Sequence, residues 1–258
     1  MCTLVALHRC APGASLWVAA NRDEYLERPA EGPALREGRS GPVVAPLDRR
    51  AGGTWWGLNA HGVFAAITNR PTAQLDPARR SRGQLVFDAL AAGSAGAAVD
   101  AVAPLGVDLY NPFNLFVADA RDAFAIVYDG TPRVLELAPG AHVIGNADPD
   151  ARDVPKVKRA LDIAEALADE PEDRIASGLA ELCRSHEPGE PRASTCVHNG
   201  GYGTRSSTLL RLGSRRDLLQ HADGPPCTSP YRDFTSLLAQ LGAPAVPRTG
   251  ETATRKAS

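Results

Sequence analysis

Lysine is nearly missing from this chain: it stands only at positions 156, 158 and 256, and arginine carries almost all the positive charge. Lys and Arg together number 28 against 30 Asp and Glu, a net charge of -2, so the basic excess that marks nucleic-acid binding is absent. No apolar run approaches the roughly 18 residues that a membrane-spanning helix needs. The run that opens at Thr3 is broken by His8 and Arg9 after five residues, too short for the core of a secretory leader. These absences predict a cytoplasmic protein with no nucleic-acid partner and no transmembrane segment. Cysteine is scarce and odd in number, at 2, 10, 183, 196 and 227, with no C-x-x-C pair. His8, His61, His142, His186, His198 and His221 show no paired ligand spacing either. The expectation is a reducing compartment, no disulfide framework, no structural zinc and no other metal.

What is present reads as a globular protein. Hydrophobic residues make up 43% and charged residues 22%, enough for a substantial core. Thr3 to Leu7 and Ser15 to Ala20 are short apolar runs around Ala11-Pro12-Gly13-Ala14, which predicts a β-hairpin. Both runs are nearly continuous in hydrophobicity, the mark of strands buried on two faces. Residues 28 to 53, dense in Pro, Gly and Arg, predict an irregular loop serving as a lid or pocket wall. Its arginines, Arg28, Arg36, Arg39, Arg49 and Arg50, form either a solvated face or a surface for propionates or phosphates. Trp55 to Leu58 and Val63 to Thr68 predict a second hairpin, followed by helices over 82–92 and up to about Val102. Hairpin strands are expected at 114–120 and 123–129, with further strands at 133–137 and 142–144. Amphipathic helices are expected over 154–168 and 171–183, strands at 193–197 and 206–212, and a short helix within 231–241. The order of strands, helical pair, strands, helical pair, strands argues for stacked antiparallel sheets covered by helices.

Polar residues gather where strands end. Asn21-Arg22-Asp23-Glu24 follows the second strand and reads either as a solvated turn or as groups facing the N-terminus across the hairpin. Asn69, before Pro71, and Asn146, in Gly145-Asn146-Ala147, end two other strands; an amide there is either turn chemistry or an oxyanion donor. Trp55 and Trp56 after Gly52-Gly53 are either core or a ligand platform. At the other end of the hairpin stands Cys2. If Met1 is removed, Cys2 carries a thiol and an α-amine whose ordinary pKa values, about 8.5 and about 7.7–8.0, both lie near neutrality: a nucleophile with its own base.

The opening Met1-Cys2, the Asn21-Arg22-Asp23-Glu24 quartet, Gly52-Gly53-Thr54-Trp55 and Tyr202-Gly203-Thr204-Arg205-Ser206-Ser207 together resemble the NRDE family, also called the transport and Golgi organisation protein 2 family. The resemblance covers nearly the whole chain, to about Pro244. That family is in turn similar to N-terminal nucleophile hydrolases of the penicillin V acylase and bile salt hydrolase type. The resemblance implies an α+β fold, a four-layer αββα sandwich of two mainly antiparallel sheets, with one domain over 1–243 and a tail over 244–258. It implies Cys2 as nucleophile, with Arg22 and Asp23 holding the amine and thiolate, although those hydrolases space their pair by three and here the two are adjacent. It also implies Asn69 and Asn146 at the oxyanion and Arg205 as a late active-site arginine. The function it implies is hydrolysis of an amide or thioester of a small acylated substrate, without cofactor. It equally implies a competing reading: non-catalytic binding and trafficking of haem or of an acyl lipid or acyl-coenzyme A in the same pocket, within haem movement and lipid homeostasis. Cys2 would then be a candidate haem ligand.

Overall fold

The computed structural model describes residues 2–189, 193–214 and 216–242. Its first hairpin is β1 (Thr3–His8) and β2 (Ala14–Tyr25), and the expected loop over 28–53 is a second hairpin, β3 (Ala30–Gly38) and β4 (Gly41–Asp48). The proline and glycine density that suggests a loop has a local reason: Pro33 lies where the β3–β4 register shifts between Glu31 and Ala34, a place where a missing N–H costs no ladder bond. Next come β5 (Trp56–Asn59), β6 (Phe64–Asn69), α1 (Gly83–Ala89) and α2 (Ala95–Val102). They are followed by β7 (Phe113–Ala118), β8 (Ala123–Tyr128), β9 (Pro132–Leu137) and β10 (Gly140–Ile144). The chain continues through α3 (Pro155–Leu167), α4 (Glu172–Arg184), β11 (His198–Asn199) and β12 (Tyr202–Gly213). It closes with β13 (Leu218–Ala222), β14 (Arg232–Asp233) and α5 (Ser236–Leu241). The strand expected at 193–197 does not form; Val197 instead bonds its backbone to Thr204 and the short β11 follows it. β13, absent from the expectation, pairs with β12. The expected tail lies outside the described residues.

Two seven-stranded sheets result, one ordered β10-β1-β2-β12-β13-β14 with β11 on β12, the other running β3 to β9 in sequence. Strand alternation sorts side chains into three cores. Leu4, Ala6, Leu16 and Val18 meet Trp56, Phe64 and Phe116 between the sheets. Val5, Leu7, Trp17 and Ala19 face Val157, Leu161, Ile175 and Leu179 of α3 and α4. On the far side, Ala65, Leu115 and Val117 pack on Leu85, Val86 and Val99 of α1 and α2. Three cores between four layers make the αββα sandwich, and the continuous apolar runs are strands that serve two cores at once. The sheets are also joined by polar bonds: Trp56 Nε1 donates to Thr208 Oγ1 at 3.1 Å, and the same hydroxyl is bonded to Nδ1 of His221 at 2.9 Å. Burial pushes the His221 pKa down to about 4. Among the described residues, no helix is long and apolar enough to cross a membrane.

Candidate active site

The register of the first sheet assembles the site. Thr3 pairs with Asn21 on β2 and Leu4 pairs with Ile144 on β10. Continued one step beyond the first pair, the register sets Cys2 opposite Arg22; continued two steps beyond the second, it sets Cys2 opposite Asn146. The quartet is thus not a turn: β2 runs through it to Tyr25, paired with Tyr202, Gly203 and Thr204 of β12. Its side chains alternate between the two faces of the sheet.

Asn21 and Asp23 face the α3–α4 layer. Asn21 Nδ2 donates to the carbonyls of Cys183 at 2.8 Å and Thr195 at 3.0 Å, which ties the end of α4 to the sheet. Asp23 is buried and its Oδ1 accepts the Thr204 hydroxyl at 2.7 Å, while Lys156 Nζ stands 3.9 Å from Oδ2. Burial pushes the Asp23 carboxyl up and the Lys156 ammonium down, each opposed by the other's charge. Arg22 points the other way, its guanidinium 4.3 Å over the Trp55 ring and 3.7 Å from both Glu24 and Asp48. Asp48 accepts two bonds from Arg28, at 2.9 and 2.6 Å, and the N–H groups of Arg50 and Ala51. Burial alone would raise its carboxyl, but these bonds and the Arg28 charge hold it below the ordinary carboxylate range. Of the paired tryptophans, Trp56 belongs to the core and Trp55 lines a cavity.

Cys2 lies at the meeting of two cavities. One, of about 210 Å³, is polar and walled by Arg22, Arg28, Arg79, Arg80 and Arg82, with Asn69 and Trp55. The other, of about 380 Å³, is bounded by Val143, Val154, Val157, Pro71, Asn146 and Lys156. Asn146 donates its side-chain amide to the Asn69 backbone carbonyl, so the two asparagines are joined, one in each cavity. The Cys2 thiol lies 3.7 Å from the Asp23 carbonyl. Burial pushes it above its ordinary value and the Asp23 charge acts the same way, against the Arg22 guanidinium.

The structure brings together Cys2, Arg22, Asp23, Asn69 and Asn146. It does not bring Arg205 to them: that residue sits where the β12 register shifts between Thr204 and Ser206, and its Nη1 pairs with Asp223 Oδ1 at 2.8 Å. From the arginine-rich stretch, Arg28 alone lines the polar cavity; Arg36 pairs with Glu31, and Arg39 with Asp88.

Two residues at the site were not singled out from sequence. Asn114, fully buried, donates to the carbonyls of Gly145 at 3.0 Å and Ala147 at 2.7 Å and so sets the loop that carries Asn146. Lys156 shares the buried stripe of α3 with Val157, Ala160, Leu161 and Ala164. A lysine on the apolar stripe of a helix, in a chain with almost no lysine, is the signal that would have found it. Gly203 has a steric reason to be glycine, since a Cβ there would meet the Val197 carbonyl oxygen at 2.5 Å.

The family described as Transport and Golgi organisation 2 matches residues 1–219. Transport and Golgi organization protein 2 homolog of Homo sapiens is 30% identical over 230 residues, spanning 76% of this chain and 81% of that protein. The Mus musculus homolog is 28% identical over the same shares. Among solved structures, a conjugated bile acid hydrolase variant from Clostridium perfringens superposes with a TM-score of 0.61 at 9% identity, covering 93% of this chain and 94% of that one. The Caenorhabditis elegans ortholog of N-acylethanolamine-hydrolyzing acid amidase reaches 0.54 at 14% identity, over 81% and 92% of the two chains. At these identities the likeness establishes the fold they share.

Proposed function

The chain belongs to the Transport and Golgi organisation 2 family and has the fold of N-terminal nucleophile hydrolases, and from that premise we propose that it hydrolyses an amide or thioester of a small acylated substrate through Cys2. The observation that carries this reading is the position of Cys2 at the meeting of an arginine-walled and a largely apolar cavity, with a side-chain amide beside it. The apolar cavity takes the acyl part and the polar one the leaving group.

Removal of Met1 frees the Cys2 α-amine. That amine accepts the thiol proton as sulfur attacks the acyl carbon, a coupled transfer that suits a thiol held protonated by burial. Asp23 balances the protonated amine and Arg22 the sulfur. The tetrahedral oxyanion is held by Asn146, with help from Asn69, to whose backbone carbonyl Asn146 is bonded; a donor of this kind is worth roughly 3–4 kcal/mol of barrier. Collapse returns the amine's proton to the leaving amine or thiol, and water then cleaves the acyl thioester, with the acid as product. Arg205 enters this reading through the family resemblance alone.

The test is intact-mass spectrometry before and after iodoacetamide, with Cys2→Ala alongside, followed by an amide and thioester panel read for released acid. Loss of Met1, Cys2 labelling faster than that of the similarly half-buried Cys10, and turnover abolished by Cys2→Ala are expected. A retained Met1, or a Cys2 no faster than Cys10, refutes the mechanism.

The arginine wall favours a second reading, binding without turnover. Arg22, Arg28, Arg79, Arg80 and Arg82 suit the propionates of haem or the phosphates of an acyl-coenzyme A. Stoichiometric ligand retention with no released acid would select it. Retention unchanged by Cys2→Ala would also remove Cys2 as a haem ligand.

A further inference from the structure

Away from Cys2, the fold gathers His186, Cys196, His198 and Cys227 so closely that one ligand atom from each lies within 4.8 Å of all the others. They come from separate places: His186 just beyond α4, Cys196 and His198 on the approach to β12, and Cys227 after β13. The separation explains why a search for ligand spacing predicts no zinc; tertiary structure alone makes this set.

The distances suit a tetrahedral ion. With zinc at its usual ~2.3 Å from sulfur and ~2.0–2.1 Å from nitrogen, tetrahedral geometry puts two sulfurs about 3.8 Å apart and sulfur and nitrogen about 3.6 Å apart. Here the two sulfurs are 3.5 Å apart, Cys196 Sγ is 3.7 Å from His198 Nε2, and Cys227 Sγ is 3.2 Å from that same nitrogen. The His186 and His198 rings lie 5.2 Å apart, centroid to centroid. Disulfide formation would use the two sulfurs and leave this convergence of imidazoles unexplained; an S₂N₂ set uses all four groups, and its softness selects zinc over magnesium or calcium.

We propose that His186, Cys196, His198 and Cys227 bind one zinc ion in a closed, structural site. Four protein ligands leave no open position for water or substrate, so the ion holds structure rather than performing chemistry. What it holds is the wall behind the quartet. The Cys196 N–H already bonds the Ser185 carbonyl at 3.0 Å. The next residue, Val197, accepts the Thr204 N–H at 2.8 Å and donates to Thr204 Oγ1 at 2.9 Å, and that hydroxyl donates to Asp23. The metal thus clamps the end of α4, the approach to β12 and the β13–β14 connection, and through Val197 and Thr204 it steadies Asp23. The proposal stands whether or not Cys2 turns over a substrate.

The reduced full-length chain, stripped with chelator, reloaded with zinc and desalted, is to be assayed for metal by plasma mass spectrometry. One zinc per chain is expected, and cobalt(II) in its place should give the intense visible bands of a tetrahedral thiolate complex. Cys196→Ser and Cys227→Ser should each weaken binding beyond the roughly 10–100-fold of an outer-shell change, whereas Cys10→Ser retains it. Should the variants fail to fold, alkylation of the native chain answers: zinc is expected to shield Cys196 and Cys227, read by peptide mass, and to leave Cys10 unchanged. Zinc lost on desalting, an octahedral cobalt spectrum, equal retention by the serine variants, or no shielding of the two sulfurs would each overturn the site.

Discussion

Replacing Lys156 by Met removes an ammonium but keeps the length and apolar stem of the side chain, so it isolates the charge. In the native protein Lys156 is 8% exposed and Asp23 4% exposed, with Nζ 3.9 Å from Oδ2 and no hydrogen-bond acceptor for Nζ among the described residues. Two unit charges at that separation attract by about 4 kcal/mol at an effective dielectric of 20. Breaking a buried pair by deleting one partner costs about 3–5 kcal/mol. Here the loss is reduced because the ammonium's own burial is relieved and because Asp23, already pushed up, can take a proton. The expected loss for Lys156→Met at pH 7 is therefore about 2–3 kcal/mol, a fall in Tm of roughly 5–10 °C for a chain of this size. Asp23→Asn combined with Lys156→Met removes both charges and should be more stable than the sum of the single losses predicts, by at least about 1 kcal/mol. The pH dependence adds a check on sign. Without the lysine, Asp23 has a folded pKa raised further above its unfolded value of about 3.9, so its penalty is present above the folded pKa and is relieved as pH falls through it. The gap between native and Lys156→Met proteins should thus narrow as pH falls below 7. Urea unfolding with unchanged m-values, run as a double-mutant cycle, measures it. Additive single effects, or a Lys156→Met protein as stable as the native one at pH 7, would refute the pairing.

Two further outcomes are expected. His142 has an acceptor at each nitrogen, the Asp150 carboxylate at 2.7 Å and the Ala138 carbonyl at 2.7 Å, an arrangement that suits the doubly protonated ring. Burial pulls its pKa down, but these partners outweigh it and raise it. Its stabilisation should be complete below about pH 6.5 and be lost as pH rises through the raised folded value; melting curves of native and His142→Gln proteins should converge toward alkaline pH, and parallel curves would count against it. Asn114→Leu strips both amide bonds from the Gly145 and Ala147 carbonyls at a fully buried position, at a cost of roughly 2–4 kcal/mol. Hydrogen exchange over 145–147 should rise with it, and unchanged exchange there would show that Thr68, which also bonds Gly145, suffices to hold the loop.

Local chemistry determined most of the elements. β1, β2, β6 and β7 were legible because each serves two cores and must be apolar on both faces, and α3 and α4 because their buried residues recur at helical spacing. Cys2, Arg22, Asp23, Asn69 and Asn146 could be picked out because each stands at or beside the end of an apolar run; the β1–β2 hairpin brings Cys2 to Arg22, but Asn146 arrives through the β1–β10 pairing and Asn69 from the other sheet. Residues 30–48 were misjudged because Pro and Gly are read as breakers, whereas an edge strand with a register shift accommodates them. Tertiary structure alone decided the rest. That β2 continues through the quartet depends on β12, nearly two hundred residues on, supplying the hydrogen bonds that a polar segment would otherwise seek from water. Strand alternation then sends Asp23 toward Lys156 and Arg22 toward Trp55, and the β12 register shift leaves Arg205 with Asp223. His186, Cys196, His198 and Cys227 meet only because the α4–β11 segment and the β13–β14 connection converge. Periodicity reports which face a residue presents; which distant face it meets is a property of the assembled layers.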